Sequence, residues 1–137
     1  VPALLDAYDG RADYVIDAID TISTKLAIAE YADRAGMRLI SSMGAANKLL
    51  PECLRIADVY DTVNCPLCRI MRKEGRKRGI RRLRVLYSCE QPVRVPVREG
   101  ATRKERSNLG TASYVPPIMG QMIAGAVLRE LAGLDQA

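Results

Sequence analysis

The segment Tyr14-Val15-Ile16-Asp17-Ala18-Ile19-Asp20 constrains the fold more than any other stretch of the chain. A continuous apolar run between polar residues is the pattern of a short strand buried on both faces, as in a parallel sheet. Thr21 and Ser23 then offer helix N-caps, Lys25 to Ala35 is rich in Ala and Leu, and Gly36 is a natural helix stop. Arg38 to Gly44 follows at once as a second apolar strand. Strand, helix and strand are complete within about thirty residues, the size of a βαβ crossover, which requires parallel pairing. The chain is therefore expected to be α/β, with a mixed, mostly parallel sheet flanked by helices.

The rest of the sequence supplies further elements. Leu54 to Tyr60 alternates apolar and polar residues, as a half-exposed strand does. Pro66 is suited to the first position of a helix running to about Lys77 and stopped by Gly79, with Leu67, Ile70 and Met71 as its apolar stripe. Gly75 should weaken this helix by roughly 1 kcal/mol relative to Ala. Leu83 to Ser88 reads as a strand, and Gln91 to Gly110 as a loop, free to move, without a period. From Pro117 a helix apolar nearly all round is expected, with Gly120 and Gly125 permitting close packing. So apolar a helix calls for cover by a missing segment or by a second subunit in a homodimer. With 137 residues and neither Phe nor Trp, the chain has material for one modest core of Ile, Leu, Val, Met and Ala. It divides into residues 1–64 (sheet), 65–110 (basic helix, strand and loop) and 111–137 (packing helix).

The net charge of +5 hides an asymmetry. Residues 1–60 hold nine acids against six bases, whereas residues 69–84 hold nine Lys or Arg against Glu74 alone. Arg69, Arg72, Lys73, Arg76 and Lys77 fall three or four apart and form a stripe suited to a phosphate backbone, without interleaved aromatics for base stacking. The competing reading is a solvated helix face. The nearly apolar stretch 114–128 is interrupted by Pro116, Pro117 and Gln121, so a membrane span is not expected. Cys53, Cys65, Cys68 and Cys89 occur without an amino-terminal signal pattern, which points to a reducing, cytoplasmic setting. Zinc is not expected, because Cys65-Pro66-Leu67-Cys68 stands without a histidine or a second CxxC; the ordinary reading of these thiols is burial.

Parallel sheets bind ligands in the crevice beyond their strands' carboxyl ends, and here that position carries Asp17 and Asp20. Residues three apart on a strand point to opposite faces, so Asp20 belongs to the turn, where its oxygens suit Mg²⁺ or a helix N-cap. Neither GxGxxG nor GxxxxGK[ST] occurs, which argues against a self-sufficient nucleotide-binding domain.

Tyr14-Val-Ile-Asp-Ala-Ile-Asp-Thr, Lys25-Leu-Ala-Ile-Ala-Glu-Tyr, Ser42-Met-Gly-Ala-Ala-Asn-Lys-Leu, Cys65-Pro-Leu-Cys-Arg-Ile-Met-Arg-Lys-Glu and Val115-Pro-Pro-Ile-Met-Gly-Gln-Met-Ile-Ala-Gly occur in this order. Together they resemble the tRNA threonylcarbamoyladenosine dehydratase (TcdA) family of the ThiF/MoeB/HesA superfamily, over nearly the whole chain. The resemblance implies the carboxy-terminal half of a Rossmann-like adenylation domain. It implies an enzyme that uses ATP and Mg²⁺ to activate the carboxylate of threonylcarbamoyladenosine in tRNA, which then cyclises with loss of water. Asp20 matches the aspartate that positions Mg²⁺ and the ATP phosphates and is the catalytic candidate; Asp17, its strand-end partner, and Lys25, a basic position on the next helix, are with it the cofactor-binding candidates. Arg69, Arg72 and Lys73 are the candidates for tRNA contact. The chain begins after the family's Gly-rich loop, acidic ribose-binding residue and arginine, so it is not expected to bind ATP well alone. Ala46, Leu50, Glu52 and Gly75 depart from the family pattern.

Two other functions share these features. An adenylyltransferase for a sulfur-carrier protein has the aspartates but normally brings two CxxC pairs for zinc. A dimerising or RNA-binding remnant would need only the basic helix and the apolar one.

Overall fold

A computed structural model of the chain describes residues 2–8, 11–94, 96, 99–100 and 110–135. In order these form α1 (Pro2–Asp6), β1 (Val15–Asp17), α2 (Ile22–Ala35), β2 (Leu39–Ser42), β3 (Leu54–Asp58), α3 (Pro66–Lys77), β4 (Arg84–Ser88) and α4 (Val115–Leu131). The strands make one sheet in the order β1-β2-β4-β3. β1 and β2 pair in parallel with Asp17 opposite Ser41, β2 and β4 pair in parallel, and β3 returns antiparallel to β4. The expected crossover and the mixed, mostly parallel sheet are both present. The expected loop at 91–110 lies largely outside the described residues.

Helices cover both faces of the sheet. On one, Leu26, Ala29 and Ala32 of α2 and Cys68 and Met71 of α3 pack with Leu39, Val85 and Tyr87. On the other, Val115, Met119, Ile123 and Val127 of α4 close over Ile40, Leu54 and Leu86. This second layer corrects one expectation. β1 is not buried on both faces, because it is the sheet's edge and α4 lies over the strands beyond it; Ile16 is 49% exposed although its partner Ile40 is fully buried.

Local chemistry sets the element ends, with some departures from the sequence reading. Thr21 occupies the N-cap of α2 but makes no side-chain cap, and Ser23 lies inside the helix; Gly36 ends it at φ 66°, a left-handed conformation open to glycine at little cost. α3 has the expected limits, with Pro66 in its first turn and Gly79 beyond it at φ 70°. Its buried stripe is Cys68, Met71 and Gly75, whereas Ile70 is 42% exposed on the outer side. Gly75 has a packing reason as well as a propensity penalty: a Cβ there would stand 3.1 Å from the Tyr60 hydroxyl, which the Ile80 carbonyl holds in place.

α4 starts at Val115, two residues before its expected first residue, because Pro116 and Pro117 sit in the first turn, where a missing N–H breaks no helical bond. Its glycines do not mediate close packing. Gly120 has open space around it, and a Cβ on Gly125 would meet only Arg129 of the same helix. The sheet buries one stripe of α4, and Leu128 and Leu131 remain exposed on the other side. Its carboxyl end is tied to the sheet by Glu130, which accepts from the Tyr14 hydroxyl at 2.7 Å and pairs with Arg84.

Candidate functional site

The carboxyl ends of β1, β2 and β4 lie side by side, and the chain places polar groups at each. Asp17, the last residue of β1, points to the α2 face of the sheet and is buried. Lys25, one turn into α2, reaches back to it and donates to both carboxylate oxygens at 3.1 Å. Ser41, opposite Asp17 on β2, donates to Oδ2 at 2.6 Å, and Lys25 Nζ also donates to the Ser42 carbonyl at 2.7 Å. Asp17 Oδ1 further accepts the Ile19 N–H at 3.1 Å, which turns the chain sharply after β1. Lys25 is only 1% exposed, so the pair is a fully bonded ion pair out of contact with water. Desolvation of two charges is offset there by paired charge and by hydrogen bonds on the remaining valences.

Asp20 lies beyond this knot in the turn to α2, exposed, and its carboxylate makes no hydrogen bond or ion pair with another described residue. The structure thus brings Asp17 and Lys25 together beneath the strand end and leaves Asp20 open above it. One free carboxylate fits the needs of Mg²⁺, which binds through one or two protein carboxylates plus phosphates and keeps several waters. Among the described residues, no three His, Cys, Asp or Glu side chains converge to enclose a metal.

A second buried lysine was not singled out from the sequence. Lys48, in the loop after β2, is 2% exposed. Its Nζ donates to the carbonyls of Asn64 (3.2 Å), Ser88 (3.3 Å) and Glu90. The Glu90 carboxylate in turn accepts the N–H groups of Leu49 and Leu50, both at 2.9 Å. This exchange joins the loop after β2, the entry to α3 and the end of β4. The one local signal, Asn47 in a left-handed turn at φ 57°, marks the loop but not what Lys48 reaches. Lys48→Met is expected to leave three carbonyls without their donor and to lower stability by about 2–3 kcal/mol in urea melts; an unchanged midpoint would contradict this role.

The basic helix divides by environment. Arg72 is half-buried, donating to the Thr62 carbonyl at 3.0 Å and to its hydroxyl. Arg76 stacks over the Tyr60 ring at 5.2 Å, and Lys77 pairs with Glu74 at 3.2 Å. Arg69 and Lys73, one turn apart, are exposed and pair with no described acid. Together with Asn64, Cys65, Pro66, Ile70 and Arg72 they line a shallow hollow at the start of α3. A separate hollow of about 330 Å³ opens at the opposite end of the sheet, but several of its charged side chains face one another, as Arg84 does Glu130.

A parallel crossover with a locked aspartate and an open one at its carboxyl edge defines an α/β domain built on a mixed, mostly parallel sheet. The Escherichia coli tRNA N6-threonylcarbamoyladenosine dehydratase TcdA, solved in complex with ATP, matches 94% of this chain and 56% of its own at a TM-score of 0.63 and 22% identity. No family model matches the chain. The Bacillus subtilis tRNA threonylcarbamoyladenosine dehydratase is 36% identical over 133 residues, 90% of this chain and 52% of that relative. Dehydratase 2 of Saccharomyces cerevisiae is 40% identical over 85 residues, 61% of this chain and 19% of its own length. The chain is homologous to the tRNA threonylcarbamoyladenosine dehydratases of the ThiF/MoeB superfamily, and it spans about half the length of its Bacillus relative. No helix among the described residues is long and apolar enough to cross a membrane.

Proposed function

We propose that the chain is the carboxy-terminal half of an ATP-dependent tRNA-modifying dehydratase, which activates the carboxylate of threonylcarbamoyladenosine so that it cyclises with loss of water. The observation that carries this reading is the exposed Asp20 carboxylate above the buried Asp17–Lys25 pair, in a chain 36% identical to such an enzyme over 90% of its length. Asp20 would hold Mg²⁺, which supplies charge stabilisation on the ATP phosphates. Asp17 and Lys25 act beneath it by fixing the turn from which Asp20 projects. Arg69 and Lys73 meet the tRNA backbone, while Arg72 holds the entrance of α3 to Thr62. The nucleotide-binding loop belongs to the other half of the enzyme, and the exposed Ile16 edge, Leu128 and Leu131 are surfaces for that half or for the second copy in a homodimer. The setting is cytoplasmic, where tRNA and ATP meet.

The test is mass spectrometry of tRNA from a strain lacking the full-length gene. Cyclic threonylcarbamoyladenosine should disappear and its open form accumulate; unchanged cyclic nucleoside, with no second copy of the gene, would overturn the reading. The backbone contacts have their own signature. Each phosphate neutralised contributes roughly 0.7–0.9 to the slope of log affinity against log salt. Arg69→Ala and Lys73→Ala in the full-length protein are each expected to reduce that slope for tRNA by about 1.

A further inference from the structure

Cys65 and Cys68 occupy the N-cap and third positions of α3, and nothing proposed above uses them. They are neighbours in space. The Cys68 N–H donates to Cys65 Sγ at 3.4 Å. Both are buried, Cys68 completely and Cys65 to 5% exposure, but Cys65 lines the hollow shared with Asn64, Pro66 and Arg69. Positive charge surrounds them: Lys48 acts on Cys65, and Arg72 acts on Cys68. A sulfur at a helix N-terminus beside cations is the environment in which a cysteine reacts as thiolate. Cys65 is accordingly held well below the usual thiol range, to about 6, first by the adjacent Cys68 thiol. Cys68 is pushed up, first by the adjacent Cys65 sulfur and then by burial.

We propose that Cys65 and Cys68 form a thiol–disulfide exchange site, with Cys65 the attacking sulfur, Cys68 the resolving one, and low-molecular-weight disulfides the substrate class. The Cys65 thiolate attacks one sulfur of R–S–S–R, forms Cys65–S–S–R and releases RS⁻, which takes a proton from water. Cys68 then attacks the Cys65 sulfur, forming the Cys65–Cys68 disulfide. Its proton goes to the second RS⁻ as that leaves. Two electrons pass from the protein dithiol to the small disulfide, which departs as two thiols. The disulfide removes the Cys65 thiolate that accepts the Cys68 N–H at the first turn, so oxidation is felt where α3 begins. The other cysteine pair differs: Cys89 N–H donates to the Cys53 carbonyl at 3.0 Å, and burial pushes the Cys53 thiol up.

The sequence makes the test direct. Trypsin, cutting after Arg55 and Arg69, leaves Cys65 and Cys68 together in peptide 56–69, with Cys53 and Cys89 in peptides 49–55 and 85–94. The folded full-length protein is equilibrated in buffers of reduced and oxidised glutathione, alkylated with iodoacetamide, digested and analysed by mass spectrometry. Peptide 56–69 should pass from doubly alkylated to an unalkylated internal disulfide, two hydrogens lighter than the free dithiol peptide, within the range of those buffers. In Cys68→Ser, glutathione should be trapped on Cys65 at a rate at least about 10-fold above that of Cys53 at pH 7. If peptide 56–69 stays doubly alkylated in wholly oxidised glutathione, the site is not a redox couple. If Cys65 reacts no faster than Cys53, it is not the attacking sulfur.

Discussion

Lys25→Met is expected to lower stability by about 3–5 kcal/mol, because it strands the Asp17 carboxylate in the core without its counter-charge. Ser41 and the Ile19 N–H would still bond that carboxylate but bring no compensating charge. A domain of this size has only about 5–15 kcal/mol in total, so the variant should be close to unfolding at room temperature. The double variant Asp17→Leu with Lys25→Met removes both charges and is expected to recover most of the loss, leaving mainly the Ser41 hydroxyl without its acceptor. Urea unfolding of the single and double variants measures this directly. Equal losses in the two would mean that the pair acts by shape and not by charge.

Asp20→Asn should have the opposite profile in the full-length protein. Its side chain is exposed and makes no hydrogen bond or ion pair with another described residue, so the melting midpoint should move by less than about 0.5 kcal/mol in free-energy terms. Removing a charge that stabilises developing phosphate charge typically lowers turnover by about 10²–10³-fold, and the tRNA-dependent release of pyrophosphate from ATP should fall by that amount. Full activity in Asp20→Asn at ordinary Mg²⁺ would remove Asp20 from the chemistry. Loss of activity together with loss of folding would place it with Asp17 as a structural residue. The two aspartates, three residues apart, are thus separable: one fails by melting, the other by rate.

Much of the fold was legible from local pattern. The apolar runs at 14–20 and 38–44, with a helix between them closed by Gly36, require a parallel crossover whatever surrounds it. The limits of α3 follow from Pro66 and Gly79, because both act through backbone geometry that neighbours cannot change. Burial was less legible. Ile16 and Ile70 look like core residues by type, yet they are exposed because a strand becomes an edge, or a helix rotates, according to what lies beside it. Gly75 looked like a weak point and proved to sit under a tyrosine that its own stretch of sequence does not contain.

The candidate site divides in the same way. Asp17 and Asp20 could be placed at a strand end from the sequence, and the alternation of side chains along a strand already put Asp20 past the strand, in the turn. That Lys25 would spend its charge on Asp17 depends on the first turn of α2 folding back over β1. The reach of Lys48 across to carbonyls 16, 40 and 42 residues away depends on three loops converging. Sequence by itself determined the elements, their parallel crossover and the chemistry available at the strand ends, because those follow from interactions between near neighbours in the chain. Only the tertiary structure decided which charges are spent inside the domain and which, like those of Asp20, Arg69 and Lys73, remain open, because a charge is neutralised by whatever the fold brings within about 3 Å of it.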